Sequence, residues 1–247
     1  MNRVYININS DIGEGIGNEK DLLPLISSCN IACGVHSGND KTMAEVAQLA
    51  YCNGVKVGAH PSYPDRKNFG RVSLNISEDK LITSIKTQLA GLRAILEKEN
   101  IPLHHIKPHG ALYNDLATNT HLSRVFLRAV ERYKNTASLY VPFNSCIAKE
   151  AITQGFNIHH EAFADRNYNL DLSLVSRKTR NAVIEEPQDV LEHLLCMVNE
   201  KKVQTLKGKK VPIVADTYCI HGDTPSALQI LHYLSIELPK YNIHIKR

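Results

Sequence analysis

Histidines and carboxylates that could exchange protons or hold a cation lie in short segments rich in glycine and polar residues. Asp11 and Glu14 share the segment NSDIGEG. Four histidines each lie in a different segment of this kind: His36, His60, His109 and His221. A carboxylate can act as general acid or base and imidazole titrates near neutral pH, so these residues are candidates for acid–base catalysis. Lys107 and Asp223 complete the candidate catalytic set.

Cationic and polar side chains in the same segments could bind an anion. Lys107 precedes Pro108, which biases its backbone towards extended geometry and predicts that it belongs to a strand. A planar guanidinium suits a phosphate or a carboxylate, and Arg166 is the best placed because it adjoins Asp165. The remaining candidates for substrate or nucleotide binding are Asn30, His36, Arg71, Glu161 and Arg177.

Two common catalytic signatures are missing from the sequence. The chain has no G-x-x-x-x-G-K-[ST] segment, so a P-loop does not hold ATP. It has no G-x-S-x-G segment either, which argues against a serine esterase.

Short β-rich runs alternate with amphipathic stretches of helical length. The runs predict strands at residues 4–8, 27–32, 55–59, 104–107, 138–141, 157–162, 211–217 and 242–245. The amphipathic stretches predict helices at 42–53, 77–99, 120–134, 145–154 and 187–201, with a last helix after Thr224 and Pro225.

This alternation predicts an α/β protein whose parallel strands are joined by helices. We expect a single domain over residues 1–247, folded as a (β/α) barrel of about seven strands, with a doubly wound open sheet as the alternative. Loops at the carboxyl ends of parallel strands build the site in both folds, and the polar segments follow predicted strands. Loops on the opposite side, such as 100–102 and 135–137, are chemically plain. The asymmetry predicts an enzyme.

Composition excludes several classes of function. The 247 residues are 43% hydrophobic and 22% charged, as in a globular protein, which excludes disorder. The net charge of +4 comes without an arginine-rich face interleaved with aromatics, so we expect no nucleic-acid partner. No apolar stretch approaches about 20 residues, so we expect no membrane span. With six scattered cysteines and no export signal at the N-terminus, we expect free thiols in the cytoplasm.

Eight segments occur in the order found in the family of the 5-oxoprolinase A subunit, also called the LamB/YcsF lactam utilization proteins. They are NSDIGEG, NIACGVHSG, GAHPSYPDR, FGR, KPHGALYN, EAFADRNY, LVSR and HGDTPSA, and they run from residue 9 to residue 227. KPHGALYN and HPSYPDR are long and unusual in composition, which makes accidental matches improbable. The chain therefore resembles this family over nearly its whole length.

The resemblance implies a distorted seven-stranded barrel related to polysaccharide deacetylases. It also implies a subunit of a hydrolase that opens 5-oxo-L-proline to L-glutamate while ATP, with Mg²⁺, is cleaved to ADP and phosphate. Subunits B and C would be its partners, and association into a homo-oligomer stays open. In this hypothesis Asp11, Glu14 or His109 activates water, and Lys107 with Arg166 neutralises phosphate charge. His221 and Asp223 would form an oriented acid–base pair.

Two other functions stay open. A metal-dependent amidohydrolase or deacetylase that works without ATP could use Asp11, His36 and His60 as ligands. However, the His-x-x-x-His spacing of the deacetylases is missing, and we expect no tightly bound metal. The other alternative is a non-catalytic subunit that binds substrate.

Four positions depart from the family pattern and bear on these alternatives. Asn7 and Asn39 stand where the family has aspartates, and Leu172 and Asn181 stand where it has glycines. The loss of two carboxylates weakens the metal hypothesis and favours the non-catalytic one.

Overall fold

The computed structural model describes residues 3–246, which alternate between strands and helices. Within that range the strands are β1 (Val4–Ile12), β2 (Ser28–Ala32), β3 (Lys56–His60), β4 (His105–Ile106), β5 (Ser138–Pro142), β6 (Ile158–Phe163), β7 (Lys202–Gln204), β8 (Lys210–Pro212), β9 (Thr217–Cys219) and β10 (Ile243–Ile245). The α-helices are α1 (Glu19–Leu22), α2 (Asp40–Cys52), α3 (Glu78–Lys98), α4 (Gly110–Thr118), α5 (Thr120–Val130), α6 (Cys146–Thr153), α7 (Pro187–Leu195) and α8 (Ala227–Glu237). None of these helices combines the length and the apolar character that crossing a lipid bilayer requires.

Seven strands close into a barrel in which every neighbouring pair is parallel. Their order is β1, β2, β3, β4, β5, β6 and β9, and β9 pairs with β1 to close the barrel. β1 is long enough to serve three partners, since Val4–Ile6 pair with β10, Asn7–Asn9 with β9 and Asn9–Ile12 with β2. The structure confirms the predicted seven-stranded barrel and excludes the open sheet.

The helices cover the outside of the barrel with their apolar faces. On α3, five side chains at helical spacing are at most 1% exposed: Leu81, Ile85, Leu89, Leu92 and Leu96. Complete burial of one such side chain contributes about 1.5–3 kcal/mol to folding, so this face fixes α3 against the sheet. The same periodicity allowed the helix to be predicted from the sequence.

The predicted strand at 211–217 is wrong. Residues Lys210–Pro212 form β8, which pairs antiparallel with β7 in a small hairpin outside the barrel. The last barrel strand is Thr217–Cys219, which follows after a gap. Gly208, at φ +79°, makes the turn between β7 and β8, and Pro212 cannot donate a further backbone hydrogen bond. The hydrophobic run around Val211 therefore ends before the barrel strand begins.

Three helical segments also differ from the predictions. The KPHGALYN segment, expected as a loop, starts α4 at Gly110. The helix predicted at 120–134 ends as α5 at Val130 and continues as a 3₁₀ turn over Glu131–Tyr133. The helix predicted at 187–201 ends as α7 at Leu195 and continues as a π-turn over Cys196–Glu200. Helix ends are set by local turn geometry, which apolar periodicity does not report.

Polar side chains fill the barrel interior around β4. His105 lies in β4, its ring stacks on Tyr140 at 3.8 Å, and Nε2 lies 2.6 Å from Oδ1 of Asn30. A Cβ atom on Gly58 of β3 would lie 2.2 Å from His105 Nε2. Glycine at position 58 therefore leaves space for this imidazole. The imidazole in turn holds the side chain of Asn30.

Candidate active site at the carboxyl ends of the strands

A cavity of about 810 Å³ opens at the carboxyl ends of the barrel strands. The predicted site residues that line it are Asp11, Glu14, His60, Arg71, Lys107, His109, Glu161, Arg166, Arg177 and His221. These residues come from segments up to 210 positions apart in sequence, and the barrel brings them to one end. The placement of the polar segments on one face follows the prediction from the sequence.

Lys107 lies directly after β4 and is the centre of the polar cluster. Its side chain is 2% exposed, and Nζ lies 2.9 Å from Asp11 Oδ1 and 2.9 Å from Glu161 Oε1. Nζ also donates to Asn9 Oδ1 at 3.3 Å and to Cys219 Sγ at 3.1 Å. The ammonium therefore has partners on several sides and is held between two carboxylates.

Protonation of this cluster follows from burial and charge pairing. Burial lowers the pKa of Lys107, but Asp11, Cys219 and Glu161 outweigh burial and raise that pKa well above its ordinary value. Burial raises the pKa of Asp11, but His60 and Lys107 outweigh it and hold that pKa well below its ordinary value. Both residues are therefore charged at neutral pH, and Lys107 acts as a fixed cation.

Two histidines face each other across the cavity wall. His60 Nδ1 donates to the backbone carbonyl of Lys107 at 2.8 Å, and His109 Nε2 donates to the carbonyl of Phe69 at 2.9 Å. Their inner nitrogens, His60 Nε2 and His109 Nδ1, lie 2.9 Å apart. Asp11 Oδ2 is 3.3 Å from His60 Nε2. Burial, then the charges of neighbouring histidines, holds the pKa of His109 well below its ordinary value.

Glu14 and His36 complete this group from behind His109. Glu14 Oε1 lies 3.4 Å from His109 Nδ1 and 3.2 Å from His36 Nε2. The rings of His36 and His109 stack at 3.9 Å with an angle of 6° between their planes. His36 Nδ1 lies 3.0 Å from Ser62 Oγ. Burial lowers the pKa of His36 although Glu14 opposes the shift, so a neutral ring holds Glu14 in place.

His221 and Asp165 form a second acid–base pair in the cavity. His221 Nδ1 lies 3.0 Å from both carboxylate oxygens of Asp165, which also accepts hydrogen bonds from the His221 amide and from Thr224 Oγ1. Burial raises the pKa of Asp165, but the charge and hydrogen bonds of His221 and Thr224 lower it overall to about 2. A carboxylate that fixes Nδ1–H leaves Nε2 as the proton-exchanging atom of His221.

Arginines near the mouth of the cavity are largely satisfied by protein atoms. Arg71 pairs with Asp223, and Arg177 Nη2 lies 3.7 Å from the same carboxylate. Arg166 donates from Nε to the carbonyl of Ala182 at 3.1 Å and from Nη2 to that of Val175 at 2.6 Å. Asp223 thus pairs with arginines, whereas Asp165 takes the position beside His221 that the sequence suggested for Asp223.

Two buried polar atoms in the cavity wall lack hydrogen-bond partners among the described residues. They are the hydroxyl of Tyr113, on α4, and Oε2 of Glu161, at the end of β6. Burial, and then the charge of Glu161, raises the pKa of Tyr113 well above its ordinary value, so the phenol keeps its proton. The phenol faces Glu161 and interacts with it, but neither atom has a partner at normal hydrogen-bond distance among the described residues, so both can turn to a ligand.

Asn30 and His36 support the site without lining the cavity. Asn30 Nδ2 donates at 2.8 Å to Asp11 Oδ1 and at 2.8 Å to Asn9 Oδ1. Asn9, Tyr113 and Asp165 were not among the site residues predicted from the sequence. Asn9 and Asp165 lie in the strand-end segments NSDIGEG and EAFADRNY, so their position was a usable signal. Tyr113 lies in the strand-end segment KPHGALYN, so the same signal applied to it.

Asn7 and Asn39, the two positions at which the family pattern has aspartate, do not line the cavity. Asn7 Oδ1 accepts hydrogen bonds from Ser28 Oγ at 2.9 Å and Thr217 Oγ1 at 2.7 Å, as a carboxylate would. Asn39 caps α2, and its Oδ1 accepts from the Thr42 amide at 3.0 Å. Both asparagines keep a structural role, so the cavity loses no carboxylate at these positions.

The two replaced glycines are explained by the backbone. Leu172 has φ +67° and Asn181 has φ +60°, in the left-handed region that glycine occupies without strain. Leu172 lines the cavity, and a bulky side chain in this conformation costs about 1–2 kcal/mol. Both positions therefore have a backbone conformation that favours glycine.

Comparisons with known proteins agree with this architecture. The profile of the LamB/YcsF family matches residues 6–247. The 5-oxoprolinase A subunit of Haemophilus influenzae (strain PittGG) is 40% identical over 243 residues, which cover 97% of this chain and 98% of the relative. The 5-oxoprolinase A subunit of Acinetobacter baumannii is 36% identical over 248 residues, covering 98% of each. The crystal structure of a lactam utilization protein from Thermus thermophilus superposes with a TM-score of 0.89 at 32% identity, covering 98% of this chain and 99% of that one.

Proposed function

The chain belongs to the LamB/YcsF family, and from that premise we propose that it is the subunit of a 5-oxoprolinase that binds 5-oxo-L-proline. The observation that carries this proposal is the pair of unpartnered atoms in the cavity wall, the Tyr113 hydroxyl and Glu161 Oε2. A lactam offers a carbonyl acceptor and an N–H donor on one edge of its ring. The Tyr113 hydroxyl donates to that carbonyl, and Glu161 accepts from the N–H.

The residues around this pair match the rest of the substrate. The cavity has apolar walls, including Phe143, Phe163 and Leu174, which suit a five-membered ring. Arg177 lies at the mouth, and its interaction with Asp223 is long, so it can turn towards the substrate carboxylate. His221, oriented by Asp165, exchanges a proton with water or with the ring nitrogen as the amide bond opens.

We assign ATP, with Mg²⁺, a role as co-substrate of the complex, since a lactam amide is a poor electrophile that phosphorylation of its oxygen activates. The chain has no P-loop, and in the described cavity Lys107, Arg71 and Arg166 are already engaged by protein atoms. Subunits B and C therefore hold most of the nucleotide, and this chain supplies the lactam end of the site.

A non-catalytic role has less support than the sequence suggested. It depended on the replacement of carboxylates at positions 7 and 39, and Asn7 and Asn39 lie away from the cavity lining. A hydrolase that works without ATP stays an alternative. Glutamate release from 5-oxoproline without added nucleotide would favour it.

Calorimetric titration of the purified chain with 5-oxo-L-proline tests the proposal. Tyr113→Phe removes the donor to the lactam carbonyl and should weaken binding by about tenfold, the effect of one hydrogen bond of about 1–1.5 kcal/mol. Tyr51→Phe, at an exposed position of α2, is the matched control and should bind like the wild type. L-Proline, which lacks the ring carbonyl, should bind at least about tenfold more weakly than 5-oxo-L-proline. Equal affinity for proline and 5-oxoproline, or an unchanged Tyr113→Phe variant, would overturn the proposed recognition.

A further inference from the structure

His60 and His109 present each other with nitrogens that carry no hydrogen. The hydrogen of His60 lies on Nδ1, because that atom donates to the Lys107 carbonyl. The hydrogen of His109 lies on Nε2, because that atom donates to the Phe69 carbonyl. In the neutral rings His60 Nε2 and His109 Nδ1 then hold lone pairs, and they face each other at 2.9 Å. Two lone pairs at this distance repel unless a cation lies between them.

A carboxylate oxygen lies beside each of these two nitrogens. Asp11 Oδ2 lies 3.3 Å from His60 Nε2, and Glu14 Oε1 lies 3.4 Å from His109 Nδ1. The ligand atoms of Asp11, His60 and His109 lie within 4.8 Å of one another. From this arrangement we infer that Asp11, His60 and His109, with Glu14 beside His109, bind a divalent transition-metal ion in the cavity wall. The inference goes beyond the lactam proposal, since it concerns ion binding by the chain alone and does not depend on the substrate.

The local charge supports a divalent ion. The buried carboxylates of Asp11 and Glu161 flank the single ammonium of Lys107, and the buried carboxylate of Glu14 lies beside His109. At formal charges this group carries two excess negative charges. Buried charge is costly unless it is compensated, and one divalent cation supplies the missing two charges at one point.

The ligand spacing fits a first-row metal. Two ligand atoms at about 2.0–2.2 Å from an ion lie about 2.8–3.6 Å apart when the angle between them is between 90° and 110°. Three contacts among these atoms, from His60 to His109, from Asp11 to His60 and from Glu14 to His109, measure from 2.9 to 3.4 Å and lie in this range. Two imidazole nitrogens with two carboxylate oxygens suit Zn²⁺, Co²⁺ or Mn²⁺.

Neighbouring groups already orient the ligands. Backbone carbonyls fix the tautomers of both histidines, and Lys107 with Asn30 holds Asp11 by Oδ1, which leaves Oδ2 to face the ion. Such outer partners are typical of metal sites. His36 stacks parallel to His109, so its ring plane is not aimed at the ion, and its Nε2 holds Glu14. The ligand set therefore differs from the Asp11, His36 and His60 set suggested by the sequence.

Titration of the chelator-treated, dialysed chain with Co²⁺ tests the inference. Bound Co²⁺ gives visible d–d absorption, and calorimetry with Zn²⁺ gives the stoichiometry independently of catalysis. The wild type should bind about one equivalent. His109→Gln and Glu14→Gln should lower the affinity more than about a hundredfold, and His36→Gln, which changes an outer partner, by about ten- to a hundredfold. His159→Gln, at the opposite end of the barrel on β6, is the matched control and should bind like the wild type.

Circular dichroism checks that each variant is folded. Glu14→Gln keeps the test decisive if His109→Gln does not fold, because Glu14 lies in a loop after β1. Failure of the wild type to bind Co²⁺, Zn²⁺ and Mn²⁺ would overturn the inference and would favour a proton shared by His60 and His109. Binding that survives both His109→Gln and Glu14→Gln would also overturn it. Neither result bears on 5-oxoproline binding, which is measured separately.

Discussion

At the scale of single residues, the barrel interior combines charges that are expensive to bury. Lys107 lies between Asp11 and Glu161, and Asn9 and Asn30 connect the same carboxylates by hydrogen bonds. A buried ion pair of this kind contributes little net stability, but removing one partner is strongly destabilising. The arrangement therefore maintains a fixed electrostatic environment at the cavity, which is what a site for polar chemistry requires.

The His221–Asp165 pair makes the free energy of unfolding depend on pH. The pKa of Asp165 falls from its ordinary value of 3.8 to about 2 in the folded chain. Because the folded pKa is depressed, this contribution is present above pH 4 and is lost as the pH falls towards 2. Its size is about 2 kcal/mol, from 1.36 kcal/mol per pKa unit.

Asp165→Asn should therefore lower the free energy of unfolding at neutral pH by about 2 kcal/mol and flatten its decline between pH 4 and pH 2. Urea denaturation across this range measures both effects. Glu45→Gln, an exposed carboxylate change on α2, is the control and should keep the wild-type profile. If the free energy of unfolding of Asp165→Asn declined between pH 4 and pH 2 as steeply as that of the wild type, the His221–Asp165 pair would not be the cause of the pH dependence.

At the scale of the elements, the periodicity of the sequence predicted the repeated strands and helices, but it did not predict single turns and helix starts. The apolar stripe of α3 and the alternation of strands and helices were readable, and so was the position of the polar segments at strand ends. The hairpin of β7 and β8 and the start of α4 at Gly110 were not, because a turn or a helix start is decided by one or two residues. Asp165 beside His221 is a contact between residues 56 positions apart, which spacing does not predict.

Two glycines in these elements differ in whether the space around them would accept a side chain. Gly58 makes space for His105, where an added Cβ would lie 2.2 Å from Nε2. Gly91 is an exposed residue in α3 where an added Cβ meets nothing within 4 Å. Only the first glycine is required by packing.

Gly58→Ala should therefore destabilise the chain by at least about 1–3 kcal/mol, the usual cost of overpacking a well-filled core. Gly91→Ala should stabilise it by about 0.5–1 kcal/mol, because alanine favours the helix. Thermal and urea unfolding of the two variants gives the comparison. A Gly58→Ala chain as stable as the wild type would mean that His105 does not pack against β3 as described.

At the scale of the whole molecule, the barrel closes on itself and collects chemistry from distant segments at one end. β1 closes the barrel with β9, and the carboxyl-terminal parts of β1, β3, β4, β6 and β9, with the loops after them, supply Asp11, His60, Lys107, Glu161 and His221. Two partner subunits, in our proposal, bring the nucleotide to this end. The isolated chain should accordingly fold and bind 5-oxoproline, yet release little or no glutamate by itself.

The most direct test of this assignment is glutamate release from 5-oxo-L-proline by the chain combined with its partner subunits and MgATP. We expect turnover that requires all subunits and ATP, and a kcat lowered by about a hundredfold or more in His221→Gln, as for a lost acid–base group. His232→Gln, at an exposed position of α8, should retain wild-type turnover. Wild-type turnover by His221→Gln in the folded complex, or no turnover by the complete wild-type mixture, would contradict the assignment of this cavity as the site where the lactam is opened.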